Sequence, residues 1–294
     1  MPKPPPPKGR PTSPSEPTKS ILALATSAES ATKEHYSFLL LGQSKTGKTT
    51  AFGTMPGNKL AIALTTRTAP ALRGTSNCQI ITLHEDQPKK KRDPKSGNEN
   101  YGVTPHAWDD LWTLLNELWA LKDSPEPFPY DAIMLDDLSA ANDFAMNNVL
   151  NLNKGDGSAM SSGLAGAPAE HHYVPQMFLI QQLIYSILLP LPCHIVVCGH
   201  TELREDKTSG RFYYFPIVFG NLRTKIASWF DEVYETDKVA KAGEPTRYVW
   251  KTEGSGQKRI FGSTINKQNS LWQSPLDVTL GQSPCGFAKV LERR

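Results

Sequence analysis

Apolar residues in this chain gather into short runs closed by glycine or polar residues, and between the runs they recur at helical spacing. Tyr36–Leu41 is such a run, ending at Gly42, and Lys59–Leu64, Gln79–Leu83, Asp131–Leu135 and His194–Cys198 repeat the form. Uninterrupted apolar runs of this length, bounded by turn residues, predict strands buried on both faces of a parallel sheet. Trp108, Leu111, Trp112, Leu115, Leu118 and Trp119 instead recur three and four apart, which predicts a helix laying one broad stripe on that sheet. Thr104 and Pro105 stand before it as N-cap and first helical residue. Helical stretches also follow Asp137 to about Leu150, run from Pro175 to Leu189 before Pro190 and Pro192, and cover Gly220–Phe230. Thr208-Ser209-Gly210 makes a turn between two extended segments, and Asp231–Thr236, Thr246–Thr252 and Arg259–Ser263 read as short strands or hairpins. Strands alternating with helices predict an α/β fold, a mostly parallel sheet flanked by helices, with a β-rich C-terminal portion.

Three stretches break the pattern. The first nineteen residues include Pro2, Pro4, Pro5, Pro6, Pro7, Pro11, Pro14 and Pro17, a composition that extends as polyproline and buries no core. Residues 86–103 keep no periodicity and are expected as a basic loop or hairpin inserted in the domain. Residues 151–173 begin with a Gly-, Ala- and Ser-rich run expected as a flexible loop. The expected organisation is therefore a tail over 1–30, a folded domain over 31–265 and a second tail over 266–294.

Composition adds bounds. A length of 294 residues fits one large domain or two small ones. No apolar run approaches the roughly 20 residues of a membrane helix, so no membrane partner is expected. The net charge of +3 is uneven. Lys3, Lys8, Arg10 and Lys19 lie in the first tail, and Lys89, Lys90, Lys91, Arg92 and Lys95 in the inserted loop, which leaves the remaining body net acidic. Attraction to a polyanion would thus reside in these two pieces. The lysine run reads either as a solvated loop or as phosphate contacts. Cys78, Cys193, Cys198 and Cys285 form no CxxC pair, which fits reduced thiols in a cytoplasmic protein.

The chemistry concentrates at Gly42-Gln43-Ser44-Lys45-Thr46-Gly47-Lys48-Thr49, a full match to GxxxxGK[ST] between a predicted strand and a helix start. Glycines let such a loop wrap with its N–H groups turned inward, and the helix N-terminus that follows, at Thr50, adds partial positive charge toward phosphate oxygens. Lys48 is expected on the β- and γ-phosphates and Thr49 on Mg²⁺. Asp136 ends the Asp131–Leu135 strand, at the sheet edge where α/β folds collect ligands, and is the expected acid of the Mg²⁺ site. Asp137 reads either as the group that orients an attacking water or as the N-cap of the next helix, a capping role for which Ser139 competes. His200, at the end of the His194–Cys198 strand, reads either as a γ-phosphate sensor or as a satisfied structural histidine.

The order GQSKTGKT (42–49), DAIMLDDLS (131–139), HIVVCGH (194–200) and PIVFGNLRTKIASWFDEVYE (216–235) resembles phage-encoded P-loop ATPases with a RecA-like core, some of which act as single-strand-annealing recombination proteins. The resemblance covers about residues 36–263. It implies a RecA-like sheet, ATP and Mg²⁺ as cofactors, ATP hydrolysis, homo-oligomers with ATP between subunits, and a host cytoplasmic setting. It also implies single-stranded DNA held by residues 151–173 and by Leu203–Phe215, where Arg204, Lys207 and Arg211 mix with Phe212, Tyr213 and Tyr214 as on a stacking platform. The same residues read alternatively as a β-hairpin with cross-strand aromatic pairs. Lys225, Lys258 and Arg259 are candidate cations acting across a subunit interface. RecA-like enzymes usually carry a glutamate after the second strand, whereas here Thr65-Thr66-Arg67 follows it, so turnover would lean on Asp137 or be slow. Two other classes remain open: a nucleotide-controlled assembly switch without DNA, and a small-molecule kinase, against which the lack of an arginine-rich lid counts.

Overall fold

A computed structural model describes residues 34–85, 89–92, 99–102, 105–152, 168–206, 210–254, 256–257, 260–269, 271–281 and 284–292. The proline-rich segment and most of 151–167 lie outside them, as do Lys95, Lys207, Lys258 and Arg259.

The first three sheet strands are β1 (Ser37–Leu41), β2 (Lys59–Ala63) and β3 (Cys78–Thr82), with α1 (Lys48–Phe52) and α2 (Thr68–Ala71) between them. A separate antiparallel pair, β4 (Lys89–Arg92) and β5 (Glu99–Gly102), precedes α3 (Ala107–Lys122), β6 (Ala132–Asp136) and α4 (Leu138–Leu152). Helix α5 (Tyr173–Gln181) widens into a π-helical stretch over Gln182–Leu188 and leads to β7 (His194–Gly199). A hairpin of β8 (Thr201–Asp206) and β9 (Arg211–Pro216) follows, then α6 (Leu222–Lys225) and β10 (Glu232–Val239). The chain closes with β11 (Arg247–Lys251), β12 (Gly262–Ser263), α7 (Thr264–Asn269), β13 (Leu276–Asp277) and α8 (Gly286–Leu291).

Strands β10-β1-β7-β6-β2-β3 form a parallel sheet in that order, and β11, β12 and β13 extend it antiparallel beyond β10. This is the mostly parallel sheet flanked by helices that the apolar runs predict. Because side chains alternate across a strand, each run feeds two cores at once. Leu39, Leu41, Ile62, Leu135 and Val197 face α3, α4 and α5, while Phe38, Leu40, Ala61, Met134 and Val196 face the side covered by α1 and α8. The strand order brings the C-terminal ends of β1, β7 and β6 side by side, and the loops after them share one edge.

Three expectations change. Helix α3 starts at Ala107 rather than Pro105; Thr104, the expected cap, lies outside the described residues, and Glu85 Oε2 accepts the amides of His106 and Ala107 at 2.9 and 3.2 Å. A carboxylate at that end satisfies two orphan donors and the positive end of the helix together. Residues 266–294, expected as a tail, contribute β13 and α8 to the body. Phe287 is fully buried, with its ring centroid 4.9 Å from those of Phe38 and Trp250, because the sheet face over β1 and β11 needs an apolar cover. The compact unit accordingly spans His35–Arg294. The stretch Gly220–Phe230 holds only one α-helical turn, α6, followed by a 3₁₀ turn over Ile226–Trp229. Among the described residues no helix is long and apolar enough to cross a membrane.

Candidate functional site

The loop between β1 and α1 is shaped by close packing against β10. A Cβ on Gly42 would lie 2.4 Å from both the carbonyl oxygen and Oγ1 of Thr236, so only glycine fits there. Thr236 Oγ1 in turn donates to Leu41 O at 3.2 Å and sits 2.6 Å from Thr46 Oγ1, which tethers both ends of the loop to the sheet. Gly47 caps α1 with φ 84°, a left-handed conformation that leaves the first amides of the helix open to a ligand.

Lys48 is almost fully buried beneath this loop, where its Nζ donates to Gly42 O at 3.0 Å and Gln43 O at 2.8 Å. Burial lowers its pKa, opposed by the carboxylates behind it. Asp136, the last residue of β6, accepts hydroxyl hydrogens on one oxygen, Oδ2, from Thr49 at 2.8 Å and Thr68 at 2.7 Å. Burial raises its pKa, and the two hydroxyls pull the other way. Among the described residues no cation forms an ion pair with it.

Asp137 uses its two oxygens differently. Oδ1 accepts the Ala140 amide at 2.7 Å, so Asp137 caps α4, and Ser139 Oγ is left buried without a partner. Oδ2 faces His200 Nε2 at 3.4 Å. Burial alone would raise its pKa, but the hydrogen bonds from His200 and the α4 amides carry it below the ordinary carboxylate value. His200 also places Nδ1 3.2 Å from Gly42 O. Both ring nitrogens thus face oxygen atoms of other segments. The ring bridges the phosphate-loop backbone to the carboxylate after β6.

These residues line one cleft of about 680 Å³. Ser44, Lys45, Thr46, Gly47, Lys48, Thr49 and Thr50 form its floor, and Asp136, Asp137 and His200 its far wall, while Gly42 and Gln43 act beneath it through their carbonyls. The candidate residues of the sequence therefore meet, although they come from segments about 90 and 150 residues apart. Lys225 does not line the cleft. Three contributors are not among the expected site residues: Thr65 and Arg67 on the lip after β2, where the sequence shows only a missing glutamate, and Thr68, which bonds Asp136. The string TTRT at the end of an apolar strand was the available signal. Thr236 carries none beyond its place at the end of the expected Asp231–Thr236 strand, and it lies within the longer β10.

A further concavity of about 250 Å³ adjoins the cleft and shares Lys45, Thr46, Gly47 and Thr50 with it. The β8–β9 hairpin stands beyond His200, whose carbonyl accepts the Ile217 amide at 2.9 Å. Its exposed Phe212 sits beside Arg211 and Tyr213 in an open hollow of about 390 Å³. The hairpin also carries Glu202, Glu205 and Asp206, and Arg204 is paired with Glu202 at 2.5 Å.

No curated protein matches the chain. The profile of the AAA domain family matches residues 34–259, which takes in β1, the phosphate loop, Asp136, Asp137, His200 and β11. The match covers most of the chain, and with the parallel sheet and the loop after β1 it places this protein in the AAA domain family, with a P-loop ATPase-like core.

Proposed function

We propose that the protein binds and hydrolyses Mg²⁺-ATP in the 680 Å³ cleft and uses the state of the γ-phosphate to set the β8–β9 hairpin. The observation that carries this reading is the convergence of Lys48, Thr49, Asp136, Asp137 and His200 on one cavity. Lys48 exchanges its two carbonyl partners for β- and γ-phosphate oxygens, joined by the open amides of α1. Thr49 and Asp136 fit Mg²⁺, since both offer hard oxygen donors and the buried carboxylate has only hydroxyl partners. The ion, when bound, neutralises charge on the phosphate oxygens. Asp137, held ionised by its hydrogen bonds, orients the attacking water through Oδ2 while Oδ1 keeps it fixed on α4. His200 lies between that carboxylate and the strand end that opens into β8, so loss of the γ-phosphate is felt at the hairpin base.

Without a glutamate after β2, turnover is slow, in the manner of a nucleotide-controlled switch. A second reading, with single-stranded DNA on the hairpin as in recombination ATPases, is favoured by exposed Phe212 beside Arg211 and opposed by Glu202, Glu205 and Asp206. Assembly into homo-oligomers belongs to the same reading. ATP turnover by the full chain at low salt, with and without single-stranded DNA, separates them. The switch reading expects slow turnover lost in Asp137→Asn and insensitive to DNA. Stimulation by DNA that disappears in Phe212→Ala establishes the second reading, and turnover that survives Asp137→Asn removes that residue from the mechanism.

A further inference from the structure

The concavity beside the phosphate loop has no part in the chemistry above. Its shared edge is the loop itself, and its outer wall is Tyr248 and Trp250 from β11 with Val278 and Leu280 from the segment after β13. Val278 and Leu280 lie beyond residue 259, outside the part of the chain that the family profile covers. The Tyr248 ring closes directly on the loop: a Cβ on Gly47 would lie 3.1 Å from its Cδ1.

The wall is held rigidly. The Tyr248 amide donates to Thr279 Oγ1 at 2.9 Å, and the Val278 amide donates to Tyr248 O at 2.9 Å. Thr279 Oγ1 donates to Asp277 Oδ1 at 2.7 Å, and Lys289 Nζ on α8 donates to Asp277 O at 2.8 Å. Leu280, 45% exposed, projects from this clamp as the rim.

We infer that this concavity seats the base of the nucleotide whose phosphates occupy the loop, with Tyr248 and Leu280 as its walls. The inference rests on the nucleotide reading above. A chain of phosphates on the α1 amides must continue past Thr50, and Thr50 lies on both cavities. A planar aromatic ring gains from stacking on Tyr248 and from burying its faces against Val278 and Leu280. Among the described residues lining the hollow there is no Asn, Gln, Asp or Glu. Its polar side chains are Lys45, Thr46, Thr50 and Tyr248, of which Thr46 is engaged by Gln43 O and Thr236, so no amide or carboxylate is there to pair both a donor and an acceptor of a ring edge, the kind of contact that rejects a mismatched base strongly. The seat selects a stacked purine by shape, so ATP and GTP bind within about tenfold of each other.

The test is calorimetric titration of the full chain, with Mg²⁺, using ATP, GTP and inorganic tripolyphosphate, for the native protein, Tyr248→Ala, Tyr248→Phe and Leu280→Glu. Loss of one stacking partner is expected to weaken ATP about tenfold or more in Tyr248→Ala and Leu280→Glu. Tyr248→Phe keeps affinity, and tripolyphosphate binds all four proteins alike. Leu280→Glu, at a half-exposed rim, keeps the test open should Tyr248→Ala not fold. Undiminished ATP affinity in both variants, with tripolyphosphate still bound, overturns the base seat and spares the phosphate site. A preference between ATP and GTP beyond about a hundredfold overturns selection by shape. If the native chain binds neither ATP nor tripolyphosphate, the nucleotide reading itself fails.

Discussion

The two halves of the proposed nucleotide cleft are built in opposite ways. The proposed phosphate half is polar and centred on one motif: eight residues from Gly42 to Thr49 form the loop, and Asp136, Asp137 and His200, from segments about 90 and 150 residues further on, close it from adjacent strand ends. The proposed base half has an apolar outer wall that no motif marks, joining Tyr248 and Trp250 to Val278 and Leu280 through β13. Phosphate recognition needs backbone amides and fixed charges at set spacing, which one loop and one helix start supply. An aromatic ring needs only two apolar surfaces at the right separation, and a sheet edge offers these without any motif.

The contrast predicts that damage to the base half acts through folding as well as binding. Phe287→Ala removes the ring packed on Phe38 and Trp250, so it should destabilise the protein by about 3–5 kcal/mol. Chemical denaturation would show this as a lower midpoint at unchanged slope, and an effect below about 1 kcal/mol would mean that α8 is not integral to the core. Lys48→Ala should act in the opposite sense. Removing charge-assisted hydrogen bonds to phosphate costs about 3 kcal/mol, or roughly a hundredfold in ATP affinity, with a loss of stability of about 1 kcal/mol from the two carbonyls left unpaired. A comparable loss of stability and affinity would blur the distinction between the halves.

These differences also govern what could be read from the chain alone. That these residues belong together was legible because GQSKTGKT is a spacing with a physical purpose, and Asp136 and His200 stand at the ends of apolar runs; they line one cleft. The sheet was legible for the same reason, since β1, β2, β6 and β7 are buried on both faces and so almost wholly apolar. What escaped was set by tertiary contact. Glu85 caps a helix that begins more than twenty residues later, and Thr236 meets Gly42 from the far end of the chain. Residues 266–294 looked like a tail because β13 is only two residues long and carries no periodicity.

Smaller effects sharpen the picture of the loop's anchorage. Thr236→Val removes a hydroxyl that bonds Leu41 O and adjoins Thr46, and should cost about 1 kcal/mol of stability by thermal unfolding. A shift indistinguishable from zero would make Thr236 a spacer rather than a tether. The Asp137 carboxylate should make the smallest contribution, and one with a pH signature. Its folded pKa lies below the ordinary value, so its stabilising effect is present above the unfolded carboxyl's pKa near 4 and is lost as pH falls through the folded one. The stability gap between native protein and Asp137→Asn should therefore be constant from neutral pH to about pH 5 and close below about pH 4. A gap that widens on acidification would reverse the sign of the shift.

The most direct test of the cleft as a nucleotide site is binding of Mg²⁺-ATP to the full chain, measured side by side with Lys48→Ala. Saturable binding by the native protein, weakened about a hundredfold or more in a variant that remains folded, is the predicted result. Equal binding by both proteins would contradict it, because the ammonium held between Gly42 and Gln43 would then have no part in holding the phosphates.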